Sequence, residues 1–293
     1  MPEKDKLLNE QFAAYEKQVE DIVKKAASSF YLGMRFMPKK RRNAMYAVYA
    51  FCRIVDDIAD EPDTLENKVK GLNEWENIIK SIYKNRKLEV LSPVTECLKK
   101  AITDFNLPQE ELLGLIDGMR MDMLPYDKPW SAYKVWLYCR RVAGTVGTLS
   151  VYIFGSSSEK AKTFAKLLGE ALQTTNILRD MQEDFENNRC YIPKILLDKY
   201  GITDLKPAEI AKSPNLWLIR SDMGRHSEHL YEMAEKVLQS MPVAERKLMK
   251  PALLMRNIYF AYFCKMKKRG WDIFTKVKIS KLGKIILALR GLI

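Results

Sequence analysis

Two clusters of carboxylates interrupt an otherwise basic chain of 293 residues. The first reads Arg53-Ile-Val-Asp56-Asp57-Ile-Ala-Asp60-Glu61, the second Asn176-Ile-Leu-Arg179-Asp180-Met-Gln-Glu183-Asp184. At 3.6 residues per turn, Asp56 and Asp60 share one helix face, and so do Asp180 and Asp184. Like charges at that spacing destabilise a bare helix by roughly a few tenths of a kcal/mol. Two such pairs call for a compensating cation. Clustered carboxylate oxygens suit Mg²⁺, which keeps several waters and binds through one or two carboxylates plus substrate phosphates. Arg53 stands three residues before Asp56 and is placed to pair with it. Arg189 stands five residues past Asp184, where Pro193 signals that the helix has ended. An arginine on a mobile segment beside a metal site suits clamping a phosphate.

The sequence around these clusters predicts helices. Tyr46, Val48, Tyr49, Phe51, Cys52 and Val55 form a broad apolar surface before the first cluster. Leu112, Leu113, Leu115, Ile116 and Met119 recur at helical spacing, as do Phe164, Leu167, Leu168, Ala171, Leu172 and Ile177. No sustained two-residue alternation bounded by turn pairs occurs, so strands should be few. Breakers at Pro38, Pro62, Pro108, Pro125 to Pro129, Gly155, Gly201, Pro207, Pro214 and Pro242 mark joints between helices. None is a long linker, which predicts one all-α domain over 1–293. Between the clusters, Tyr138-Cys-Arg-Arg-Val-Ala-Gly144-Thr-Val-Gly147 places two glycines on one helix face. Each costs about 1 kcal/mol against alanine. Close helix packing or room for a ligand, with a local kink, would offset that.

Composition narrows the partners. The chain has 49 Lys and Arg against 37 Asp and Glu, a net charge of +12, which favours nucleic acid, acidic membrane surfaces or phosphorylated small molecules. No basic stripe with interleaved aromatics, zinc-finger spacing or RNA-recognition signature occurs, so no nucleic-acid partner is expected. Five cysteines stand singly, with no CxxC, which fits a reduced, cytoplasmic setting. Cys52 reads as a small core residue. The only histidines, His226 and His229, sit in a polar stretch without an HExxH pattern, which disfavours zinc hydrolysis and histidine triads. The N-terminal MPEKDKLLNEQF lacks the apolar core of a signal peptide. No apolar run reaches the roughly 18 residues of a membrane span. The stretch 279–293 is apolar, too short to span, and accompanied by Lys276, Lys278, Lys281, Lys284 and Arg290. It reads either as an interfacial helix giving peripheral contact with the inner face of a membrane, or as a last helix docked on the core.

Several motifs in order carry a resemblance over nearly the whole chain. They are Ser28-Ser29-Phe30-Tyr31, the run Tyr46 to Glu61, Tyr138 to Gly147, Ala171 to Asp184, Arg189-Cys-Tyr191-Ile-Pro193 and Gly270-Trp-Asp272. Together they resemble the squalene and phytoene synthase family, the head-to-head prenyl-diphosphate synthases. A DDxxD-type cluster alone is shared with chain-elongating prenyl synthases and terpene cyclases; the second cluster with its RxYxP-like tail is specific. The resemblance implies an all-α, isoprenoid-synthase-type helical bundle around a central cavity. It implies an acidic motif on each of two facing helices with two or three Mg²⁺ ions between them, Mn²⁺ being able to substitute. Carried over residue by residue, Asp56, Asp60, Asp180 and Asp184, with Asn176, hold the metal. Arg53 and Arg189 bind diphosphate. Tyr49, Gln173, Asn176 and Tyr191 line the site near the reacting carbons, and Tyr138 adds an aromatic face for a cation. Ser29 and Phe30 match the family's substrate flap. Asp57, Glu61 and Glu183 stand behind the ligands or face solvent.

The run from Ser28 to Pro62 and the ending from Gly270 look most like bacterial members of the hopanoid pathway. The implied reaction condenses two farnesyl diphosphates to presqualene diphosphate and stops there, with downstream isoprenoid enzymes taking the product on. No glycine-rich nucleotide fingerprint occurs, and no NADPH is expected. Phytoene formation from two geranylgeranyl diphosphates and dehydrosqualene formation are the alternatives. A class I terpene cyclase would carry an NSE-type second motif, which this NxxRDxxED pattern is not. A non-catalytic helical binding protein would show decayed metal motifs, whereas all four first-layer aspartates are intact.

Overall fold

The computed structural model describes residues 3–26, 29–87, 91–203, 205–272 and 276–289; the side chains of 3–8, 29, 30, 32, 281, 288 and 289 lie outside that description. Among the described residues there are fifteen α-helices, one π-helical turn and no strand. In chain order they are α1 (Glu3–Lys25), α2 (Ser29–Arg35), α3 (Lys39–Asp60), α4 (Leu65–Tyr83), α5 (Pro93–Phe105), α6 (Gln109–Asp122) and α7 (Ala132–Cys139). The π turn (Arg140–Gly144) and α8 (Thr145–Phe154) follow, then α9 (Glu159–Glu186), α10 (Lys194–Lys199), α11 (Pro207–Ile210), α12 (Leu216–Gln239), α13 (Val243–Leu248), α14 (Lys250–Lys268) and α15 (Lys281–Leu289).

Local chemistry fixes the boundaries. Pro38 precedes α3, and Glu61, extended ahead of Pro62, ends it. Thr64, Ser131 and Ser158 each accept a backbone N–H in the first turn of α4, α7 and α9. Ser92 and Thr95 form a reciprocal capping box at the start of α5. Asn106 and Gly155 close α5 and α8 in the left-handed region, at φ of 49° and 97°.

Two helices organise the bundle. α9 is buried along most of its 28 residues and packs on α8, α12, α14 and the π turn. α3 buries Tyr46, Val48, Phe51 and Val55 against α1, α4, α5, α6 and α8. The glycine pair serves close packing. A Cβ on Gly147 would lie 2.6 Å from the Ala165 carbonyl oxygen of α9, and Gly169 of α9 stands equally tight against the Ala143 carbonyl, at 2.7 Å. The π turn, an extra residue's worth of backbone inside a helix, is the local distortion there. Nη2 of Arg140, in that turn, donates to both carboxylate oxygens of the buried Glu111 of α6, at 2.7 and 2.9 Å.

The C-terminal segment is docked. α15 packs on α14 and α2, and Asn257 Nδ2 donates to the Leu287 carbonyl at 3.4 Å. Its other face, with Leu282, Ile285 and Ile286, is exposed. Among the described residues no helix is long and apolar enough to cross a membrane.

Candidate active site

The two acidic clusters meet at one opening. The C-terminal end of α3 supplies Arg53, Asp56 and Asp60; the last turns of α9 supply Asp180, Glu183 and Asp184; all line one polar chamber of about 860 Å³. Beneath it lies an apolar cavity of about 230 Å³, walled by α2, α3, the π turn, α8, α9 and α14. Tyr49, Gln173, Asn176 and Tyr259 line both spaces and therefore form the neck between them. Along α9 the cavity wall runs from Asn176 back to Phe164, twelve residues or roughly 18 Å of helix. Phe164 and Phe154 stand at the end remote from the carboxylates.

Cations already neutralise part of the acid. Arg53 pairs with Asp56 at 2.9 Å and with Asp57 at 2.5 Å. Arg189 donates to Asp60 at 2.7 Å, tying the turn after α9 to the end of α3. That turn is fixed: Asn188 adopts φ of 54°, and the Arg189 N–H donates to the Asp184 carbonyl at 2.7 Å. Arg189 thus stands in a hydrogen-bonded helix cap. Arg179 grips its neighbour Asp180 through two nitrogens and lies over the rings of Tyr259 and Tyr262. Lys276, shortly before α15, reaches Glu183 at 2.5 Å and Asp180 at 3.6 Å.

Charge remains in excess on the acidic side. Burial, then repulsion from Asp60, pushes the Asp56 carboxyl up to about 6 despite Arg53. Burial, then repulsion from Asp180 and Asp122, pushes Asp184 up to about 7. No side chain among the described residues donates a hydrogen bond to Asp184, and the buried Oδ1 of Asn176 has no partner. Carboxylates held above their ordinary range, beside an orphaned amide oxygen on the same helix, fit a hard divalent cation. Among the described residues the acids do not stand together as a preformed metal cage. The arginine and lysine partners hold Asp56, Asp60 and Asp180 in separate pairs.

One aromatic wall was legible only in part. Tyr138 and Tyr191 stack with ring centres 5.0 Å apart, and the edge of Trp130 meets both at 5.5 and 5.7 Å. The Tyr191 hydroxyl donates to Asp122 at 2.5 Å. Burial and Asp122 hold both phenols above their ordinary range, so neither is a base near neutrality. Asp122, the last residue of α6, was not marked by the sequence. Its side chain is 8% exposed and pairs with Arg189 at 3.7 Å. The available signal was an acid three residues past Met119 on a buried stripe. Tyr259, Tyr262 and Lys276 were missed too; nothing local to them marks a site. Ser29 and Phe30 open α2, but their side chains lie outside the described residues. Cys52 is half-buried, packs against the core and also lines the apolar cavity. Burial, then Asp56, pushes its thiol up to about 12, so it stays protonated.

A helical bundle enclosing an apolar cavity under a chamber of paired acids and arginines defines an enzyme of prenyl-diphosphate chemistry. The Squalene/phytoene synthase family pattern matches residues 23–283, and the chain belongs to that family. It is 39% identical over 272 residues to the presqualene diphosphate synthase of Zymomonas mobilis, covering 90% of this chain and 89% of that protein. It is 36% identical over 264 residues to the presqualene diphosphate synthase of Rhodopseudomonas palustris, covering 90% and 92%. The fold matches the crystal structure of a dehydrosqualene synthase in complex with a ligand at a TM-score of 0.78. That match has 26% identity and covers 96% of each chain.

Proposed function

We propose that this protein joins two farnesyl diphosphates head to head, giving presqualene diphosphate, one diphosphate and one proton. The observation that carries the reading is the neck: a charged chamber and an apolar cavity share Tyr49, Gln173, Asn176 and Tyr259. A prenyl diphosphate has the same division, an anionic head on an apolar tail. The identity to presqualene diphosphate synthases over nine-tenths of the chain supports the choice of product.

In this reading Arg53 and Arg189 exchange their carboxylate partners for diphosphate oxygens. Asp56, Asp60, Asn176, Asp180 and Asp184 would hold Mg²⁺, which when bound supplies positive charge against the departing diphosphate. Tyr49, Tyr138 and Tyr191 line the chamber, and their aromatic rings favour the allylic cation left behind. The double bond of the second substrate attacks that cation. The apolar walls exclude water, which would otherwise quench it to an alcohol. Proton loss then closes the cyclopropane. With both phenols held protonated, the released diphosphate takes that proton. Peripheral contact with a membrane surface belongs to the same reading, since substrate and product are amphiphiles.

A competition experiment tests it. Purified protein receives Mg²⁺ and equal farnesyl and geranylgeranyl diphosphates, and products are read by mass spectrometry. Preferential consumption of the farnesyl compound is expected. Preferential consumption of the geranylgeranyl compound would assign phytoene chemistry instead.

A further inference from the structure

The outward face of α15 is apolar and uncovered. Leu282, Ile285 and Ile286 lie at i, i+3 and i+4 on one stripe and are 67%, 40% and 46% exposed. Leu287, by contrast, packs against the core. α2 packs beside α15, and Phe36, in the turn leaving α2, is 55% exposed. Arg35 and Lys39 flank Phe36 in the chain, and both are exposed. Among the described residues no carboxylate pairs with either, whereas Lys278 and Lys284 belong to the polar chamber, Lys284 lying over the Tyr262 ring.

We propose that this face rests on an anionic lipid surface. An exposed apolar stripe on a short helix, an exposed aromatic ring and unpaired cations around them match a segment lying in an interface, not crossing it. The cations choose between occupants. A second copy seated on the same face by two-fold symmetry would set the face that carries Arg35 and Lys39 against an identical face of the same charge. Lipid headgroups of negative charge answer them instead.

The placement gives the contact a use. The inner sides of the same elements wall the site: Met34 of α2 and Met255 of α14 line the apolar cavity, and Ile279 and Lys284 line the polar chamber. One layer of helix thus separates lipid from the cavity, so an amphiphile leaving the bilayer enters where its tail is already shielded. Only the identity of that amphiphile rests on the proposed reaction; the docking face does not.

The test uses the full chain and sedimentation with vesicles of phosphatidylcholine alone or mixed with phosphatidylglycerol. The wild-type protein should sediment with the mixed vesicles and not with the neutral ones. The triple variant Leu282→Ser, Ile285→Ser, Ile286→Ser should partition roughly a hundredfold less, with its helical circular dichroism and its turnover of detergent-dispersed substrate unchanged. The double variant Arg35→Gln, Lys39→Gln leaves α15 untouched and should lose the preference for the mixed vesicles. Three results would overturn the proposal: wild-type partitioning by the triple variant, equal binding to both vesicles, or a lipid-free dimer abolished by the triple substitution. Failure to make presqualene diphosphate would remove the proposed reaction and leave vesicle binding as an independent result.

Discussion

Replacing Asp122 by Asn separates a residue that serves the reaction from one that serves the fold. The carboxylate faces Arg189 at 3.7 Å. At an effective dielectric constant of about 20 that attraction is about 4 kcal/mol before desolvation. Burial opposes the charge, and so does the nearby carboxylate of Asp60. The net result is a carboxyl held above its ordinary value, so the fold tolerates this charge without gaining from it. Below the ordinary carboxylate range both folded and unfolded forms are protonated and no penalty exists; above the folded value the penalty is complete. Asn keeps the shape, removes that penalty near neutrality, and should leave the melting temperature equal or higher. Activity should move the other way. Tyr191 loses a charged acceptor and Arg189 one of its two anchors. A hydrogen bond to a charged group is worth about 1.5–3 kcal/mol, so turnover should fall roughly ten- to a hundredfold. The assay pairs thermal unfolding with product formation measured on the same preparation. A variant that unfolds early, or one that turns over at the wild-type rate, would refute the reasoning.

Other outcomes follow from the same geometry. Asp60→Asn and Asp184→Asn should abolish turnover while the helical circular dichroism persists; loss of that signal would make the carboxylates structural. Because Asp56 and Asp184 are raised to about 6 and about 7, the cation-free protein should lose stability as pH rises from 3.8 through that window. Mg²⁺, which requires the deprotonated acids, should bind more tightly across the same rise and reverse the loss, measured as melting temperature with and without the ion. Phe164→Ala enlarges the end of the cavity remote from the acids and should raise the share of geranylgeranyl diphosphate consumed in competition with farnesyl diphosphate. An unchanged ratio would place the length limit elsewhere. Gly147→Val should destabilise the chain by about 1–3 kcal/mol in denaturant unfolding, because the Ala165 carbonyl occupies the space a side chain needs.

Helices and their ends were legible because their causes are local. Pro38, Pro62 and Gly155 act within one turn of themselves, and the 3.6-residue apolar repeat marks the buried face of α3 and α9. The two acidic clusters were legible because i, i+4 carboxylates on an apolar helix are expensive unless a cation answers them. The rest depends on distance along the chain. Asp60 meets Arg189 across 129 residues, and Asp122 meets Tyr191 across 69. No periodicity announces such pairs. Lys276 sits in a stretch of scattered lysines, and only the fold singles it out by laying it on Asp180 and Glu183. The π turn at Arg140–Gly144 was foreshadowed as a kink by Gly144 and Gly147, but the bond from its Arg140 to Glu111 of another helix was not. Of the C-terminal segment, α15 is docked on α14 and α2. Leu287 faces the core while Leu282, Ile285 and Ile286 face outward, a division that sequence periodicity alone did not assign to one partner or the other.

A head-to-head condensation that stops at the cyclopropyl product leaves that product to accumulate. Purified protein incubated with Mg²⁺ and farnesyl diphosphate, without NADPH, and extracted for mass spectrometry tests it directly. Presqualene diphosphate should accumulate with release of one diphosphate per pair of substrates. Accumulation of dehydrosqualene, or of farnesol alone, would contradict the account.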